Sequence, residues 1–174
     1  MGLRRRDESA SEHVHFRMRE KMLAIGDDYW VEDDDGDKVF KVNGKAARVR
    51  DTWVLEDRDG NELALIREKK LTVRDAMTIE IGTGDRRVEG KVKKALVGFR
   101  DRFHVELDHG DDLKVHGNIV DHEYEIERDG DKIAEVSKRW FRIRDTYGVE
   151  VFDPLDAPLV LAVTVAVDAM SGIG

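Results

Sequence analysis

Cysteine is absent from this 174-residue chain. That excludes disulfides, thiolate zinc sites and thiol catalysis, and it fits a reducing compartment. Proline is nearly absent too: the two present, Pro154 and Pro158, stand close together late in the sequence. No long apolar run occurs. The longest, Leu159 to Val167, falls short of the roughly 20 residues that a bilayer-spanning helix needs. Arg4-Arg5-Arg6 is basic, but no apolar segment follows it as a signal peptide requires. Positive charge is in deficit, with a formal net charge of −8, which argues against nucleic acid as a partner. A cytoplasmic protein is expected, one that meets a membrane only at its periphery.

Chemical motifs are equally sparse. There is no Gly-x-Ser-x-Gly elbow and no phosphate-cradling glycine loop. None of the six histidines has the i, i+4 spacing of a helical metal site. His104 and His116 are expected to approach each other across neighbouring strands, as hydrogen-bonded surface histidines rather than metal ligands. The acidic stretch Asp33-Asp34-Asp35-Gly36-Asp37 has Val31 and Val42 where a calcium loop would need carboxylates, so it reads as a solvated turn. These absences predict a chain with no catalytic residue, no cofactor and no metal.

What is present is a repeat. Arg50-Asp51-Thr52-Trp53-Val54-Leu55-Glu56 returns as Arg144-Asp145-Thr146-Tyr147-Gly148-Val149-Glu150. The same frame is legible from Asp27, Asp75, Asp101 and His122. It has a polar anchor, a large side chain two residues on, an aliphatic four on and Glu five on. The anchors are spaced by 24, 24, 26, 21 and 23 residues, the period of a repeated supersecondary unit.

Within each unit, pairs such as Tyr29/Val31, Trp53/Leu55, Met77/Ile79, Phe103/Val105, Tyr124/Ile126 and Tyr147/Val149 alternate with the period of a half-buried strand. Asp-Gly or Gly-Asp follows each of the first five units, supplying the positive φ of a hairpin turn. Each unit is thus a pair of antiparallel strands. The expected strands cover 14–19, 22–32, 38–42, 46–56, 61–67, 71–80, 87–92, 96–107, 112–116, 119–127, 132–137 and 140–151. A meander of 12 strands curls and closes into a barrel, because closure removes its edges. Residues 1–13 read as a flexible tail and 14–174 as a single domain. The Arg-Asp anchors recur once per unit, which favours a role in strand register over ligand binding.

A barrel of about 12 strands is wider than side chains alone can fill. The candidate plug is Asp156–Met170. Local rules conflict there: Leu159, Leu161, Val163, Val165 and Val167 alternate as in a strand. Against that, Asp156 can cap a helix, Pro158 suits its first turn, and the segment is apolar on every side. The interior that must be filled decides for a helix.

The runs Lys21-Met22-Leu23-Ala24-Ile25-Gly26-Asp27, Gly36–Lys45, Gly117–Tyr124 and Val136–Phe141 resemble the LURP-one-related family, over about residues 14 to 170. That family shares the fold of the tubby C-terminal domain and is similar to phospholipid scramblases. The resemblance implies a closed antiparallel barrel of 12 strands around a C-terminal apolar helix, and no catalytic residues. Tubby domains bind phosphoinositide head groups through basic residues. By analogy the candidate anion and lipid contacts are Lys69, Lys70, Lys91, Lys93, Lys94, Lys138 and Arg139. Lysines at strand ends also discourage edge pairing. The cysteine-rich segment of scramblases is missing, which speaks against lipid scrambling. The expected function is a non-enzymatic binding or scaffold module for an anionic phospholipid surface or a partner protein. The alternative is a barrel whose mouth binds or hydrolyses a small molecule.

Overall fold

In the computed structural model, residues 12–20, 28–44, 52–68, 76–95 and 102–172 are described. Twelve antiparallel strands form a closed barrel. They are β1 (Val14–Arg19), β2 (Tyr29–Glu32), β3 (Lys38–Asn43), β4 (Thr52–Asp57), β5 (Glu62–Glu68), β6 (Ala76–Ile81), β7 (Val88–Lys94), β8 (Arg102–Leu107), β9 (Leu113–Asn118), β10 (Glu123–Arg128), β11 (Asp131–Ser137) and β12 (Thr146–Val151). Neighbours in sequence are neighbours in space, and β1 closes the ring on β12 with six residue pairs, from Val14↔Val151 to Arg19↔Thr146. The other side of β1 is thin: among the described residues a single pair, Arg17↔Glu32, joins it to β2.

The alternation does what its period demands. Leu55, Met77, Ile79, Phe103, Val105, Tyr124, Ile126, Tyr147 and Val149 are all buried, while Tyr29 and Trp53 pack against that core more shallowly. The repeat also shows in the strand irregularities. Bulges fall between Val31 and Glu32, Leu55 and Glu56, and Ile126 and Glu127, the same step of the frame each time. In two equivalent turns the aspartate closing the strand holds its own loop. Asp33 Oδ1 accepts from the backbone N–H of Asp35 and Asp37, and Asp57 Oδ1 from those of Asp59 and Asn61. The acidic stretch is therefore a self-bonded hairpin turn.

The plug is a helix, Ala157–Ser171, and every residue from Val160 to Asp168 is buried. It packs inside the barrel against β5, β6, β7 and β12. Its start differs from expectation in one detail. Asp156 makes no cap; its carboxylate binds the Arg128 guanidinium at 2.7 and 3.0 Å. Asp153 instead accepts from Leu155 N at 3.0 Å in a short 3-10 turn that leads into the helix. Gly172, at φ 66°, ends it. Pro154–Ser171 is long and apolar enough to cross a membrane, but here the barrel wall supplies the apolar surroundings.

Two strand boundaries also shift. Residues 119–122, expected in a strand, form a tight turn in which the N–H of His122 donates to Ile119 O at 3.1 Å. The expected strand 140–151 begins only at Thr146, because 138–145 folds back against the wall. The expected strand portions 22–27, 46–51, 71–75 and 96–101, and three of the four Arg-Asp anchors, lie outside the described residues.

Each buried Leu or Val of the helix stabilises by roughly 1.5–3 kcal/mol. Deleting residues 156–174 should therefore abolish the cooperative thermal transition. A truncated protein that kept native near-ultraviolet dichroism would show that the barrel fills itself.

Candidate functional site: a cationic aromatic flap on the barrel seam

The connection from β11 to β12 reads Lys138-Arg139-Trp140-Phe141-Arg142-Ile143-Arg144-Asp145. It is tied at both ends. The Ser137 hydroxyl donates to the Glu123 carboxylate at 3.0 Å and accepts from Arg139 N at 3.1 Å, while Lys138 N donates to Glu123 Oε1 at 3.1 Å. At the far end the Thr146 hydroxyl donates to Ile143 O at 2.6 Å, and Glu20 N donates to Asp145 O at 2.8 Å.

Between these ties the chain lies on the outer wall because β12 carries a glycine there. A Cβ built on Gly148 would stand 2.6 Å from Trp140 Cε3 and 2.8 Å from Phe141 Cε2. The two rings thus rest on bare backbone. Trp140 meets His15 edge-on at 5.9 Å, and the Arg17 guanidinium lies 5.7 Å above the Phe141 ring. Arg17 also donates through Nε to Glu32 Oε2 at 2.9 Å, with Nη2 on the same oxygen, so one arginine joins the flap to the β1–β2 seam.

Below the flap is a cavity of about 500 Å³ lined by Arg17, Arg19, Glu20, Trp30, Glu32, Ile143, Arg144, Asp145 and Thr146. Outward, Ile143 is 53% exposed and Trp140 38%. Around them Arg19, Arg142 and Arg144 are exposed and form no ion pair among the described residues. Arg139 is 81% exposed and touches Glu123 only at 3.4 Å. Lys138 pairs with Glu20.

Among the described residues the two barrel ends differ in charge. The connections at the end where the helix enters hold Asp33, Asp34, Asp35, Asp37, Asp59, Asp85, Asp108, Asp111, Asp112, Asp129, Asp153 and Asp156, against only Arg58, Arg86 and Arg87. The flap belongs to the opposite end.

The basic residues predicted from sequence are dispersed. Lys138 and Arg139 are in the flap. Lys91, Lys93 and Lys94 are on β7, half-way round the ring, where Lys93 is held by Glu106 at 2.8 Å. Lys69 and Lys70 lie outside the described residues. Sequence reasoning missed Arg19, Trp30, Trp140, Arg142, Ile143 and Arg144. The dense interleaving of cations with large apolar side chains over 138–144 was the available signal.

Behind the flap lies a buried polar cluster. Asp168 sits in the last turns of the helix, where the macrodipole disfavours a carboxylate, and polar side chains gather round it. The Tyr147 hydroxyl donates to Asp168 Oδ2 at 2.6 Å, and His122 Nε2 is 3.3 Å from Oδ1. His122 is fully buried, has φ 50° and stacks on Tyr147 at 4.1 Å. Its Nδ1 faces Glu20 at 3.8 Å, the carboxylate that holds Lys138. His122 occupies the anchor place that Asp fills in the other units, and here it lies beside the helix carboxylate.

A model of the LURP-one-related family matches residues 14–168. The chain belongs to the LURP-one-related family. No curated protein matches the sequence. This LURP-one-related barrel is similar to a solved protein of Arabidopsis thaliana, 18% identical over 93% of each chain with a TM-score of 0.68, a likeness of fold.

Two outcomes test this arrangement. Gly148→Val should lift both rings from the wall, costing about 1–3 kcal/mol and shifting tryptophan emission to the red; unchanged emission and melting temperature would remove the role given to Gly148. The chain's three tyrosines, Tyr29, Tyr124 and Tyr147, are all pushed well above the ordinary phenol range, first by burial and then by the Asp168 charge. A raised phenol favours the protonated, folded form. Its stabilisation is complete below the unfolded value of about 10 and lost as pH rises above it. The melting temperature should fall steeply above about pH 10, with phenolate absorbance appearing only as the chain unfolds. Phenolate in the folded protein near that pH would contradict this.

Proposed function

We propose that the protein is a non-enzymatic binding module that docks on anionic phospholipid head groups through the 138–144 flap. One observation carries this reading: exposed Trp140 and Ile143 are interleaved with Arg139, Arg142 and Arg144 on a single connection. Indole and aliphatic groups partition to the head-group boundary, and arginines beside them meet lipid phosphates in bidentate fashion. The acidic turns at the opposite end favour one orientation, with the flap towards the negative surface and the turns away from it. The helix-filled interior supports contact at the outer surface in preference to chemistry inside the barrel.

Each basic residue near an anionic surface contributes about 1 kcal/mol. Replacing Arg139, Arg142 and Arg144 by Glu should therefore weaken co-sedimentation with phosphatidylserine liposomes at least a hundredfold. Trp140→Ala should weaken it at every salt concentration, whereas the charge contribution should fade as salt rises. Failure of the parent protein to sediment with anionic liposomes at low salt would overturn the proposal, and retention by a soluble protein partner in the same assay would redirect the flap to that partner.

A further inference from the structure

Away from the flap, the outer wall of β8, β9 and β10 brings together a second set of side chains. β9 and β10 pair with His116 opposite Glu125 and Lys114 opposite Glu127. Residues two apart on a strand share a face, so His116, Glu125 and Glu127 stand side by side. His116 Nε2 is 2.9 Å from Glu127 Oε1. One ligand atom from each of the three lies within 4.8 Å of the other two. We propose that His116, Glu125 and Glu127 bind a first-row divalent cation of the zinc type.

The chemistry of the donors selects the ion. Two carboxylates match its two charges, and one imidazole favours zinc, nickel or copper over magnesium and calcium. Zinc bonds nitrogen and oxygen at about 2.0–2.2 Å, so its ligand atoms stand roughly 3–4 Å apart. All three side chains are partly exposed, and small rotations about their χ angles bring them to that spacing. Three protein ligands leave a position open, and two of them, His116 and Glu127, line a cavity of about 460 Å³ that Arg102, His104 and Lys114 also border.

A supporting partner is already in place. Lys132 Nζ binds Glu125 Oε1 at 2.6 Å and Glu135 Oε2 at 3.0 Å. The two carboxylates raise its pKa, Glu125 more strongly than Glu135. Lys132 can orient Glu125 through one oxygen while the other turns to the ion, as partners beyond the ligands commonly do. His104 is engaged elsewhere, 3.3 Å from Asp112, and register sets it opposite Lys114, not His116. Sequence spacing concealed the site because its ligands are 9 and 11 positions apart and meet only through strand pairing.

The test is calorimetric titration of the whole protein with zinc, together with NMR of the histidine ring nitrogens. The expected result is one ion per chain at micromolar zinc, with the His116 ring shifting first. His116→Gln and Glu127→Gln should each weaken uptake roughly tenfold or more, with the metal-free melting temperature unchanged. Three results would overturn the proposal: no saturable uptake at millimolar zinc, uptake indifferent to both substitutions, or uptake that follows His13 and His15 beside Glu150 instead.

Discussion

Interior volume governs this molecule. Closing twelve strands solves the edge problem and creates another, a lumen that inward side chains cannot fill. Only a segment apolar on nearly every face can occupy it, and Val160 to Val167 is one, its single hydroxyl, on Thr164, donating back to Val160 O at 2.9 Å. The helix then dictates what surrounds it. Its entry is held by Arg128 on Asp156. Its exit places a carboxylate, Asp168, where it needs partners: the Tyr147 hydroxyl donates to it, and the His122 ring lies beside it. The polar cluster is thus a consequence of how far the plug extends, and through Glu20 it reaches the base of the flap.

Much of this was legible in the sequence. Period two, turn glycines and a fixed repeat identify strands well because each signal is local. The plug was legible only at second order, since alternating Leu and Val with Ala fits either element and the empty lumen decided it. The flap was not legible. Tyr147, Val149 and Val151 alternate correctly, and extending that strand back to Trp140 obeys every local rule. The strand stops at Asp145, whose φ is 60°, and Gly148, whose missing side chain lets two rings lie on the wall, makes room for the flap. An absent atom accommodating residues seven and eight positions earlier leaves no periodic trace. The same misreading hid Arg142 and Ile143, and Arg144 was assigned to strand register as a repeat anchor, so only Lys138 and Arg139 of the flap were identified as anion contacts.

The repeat also explains why charge is segregated. Hairpins alternate between two ends, and the turns at one end are built from Asp-Gly pairs because aspartate bonds its own loop, as Asp33 and Asp57 do. Turn chemistry alone therefore makes one end strongly negative. Twelve aspartates in these connections give the barrel an electrostatic direction, and a basic connection at the opposite end completes it.

The pairing of β1 with β12 has a kinetic side. These strands are separated by more than a hundred residues, and the ring is complete only when they meet. Every hairpin between them can form during synthesis, but closure waits for the last strand, and the lumen stays open until the helix behind it is made. Such long-range pairing slows folding and prolongs exposure of strand edges. A nascent chain of this protein is an unclosed, sticky sheet for most of its time on the ribosome, so chaperone demand should be concentrated late in translation.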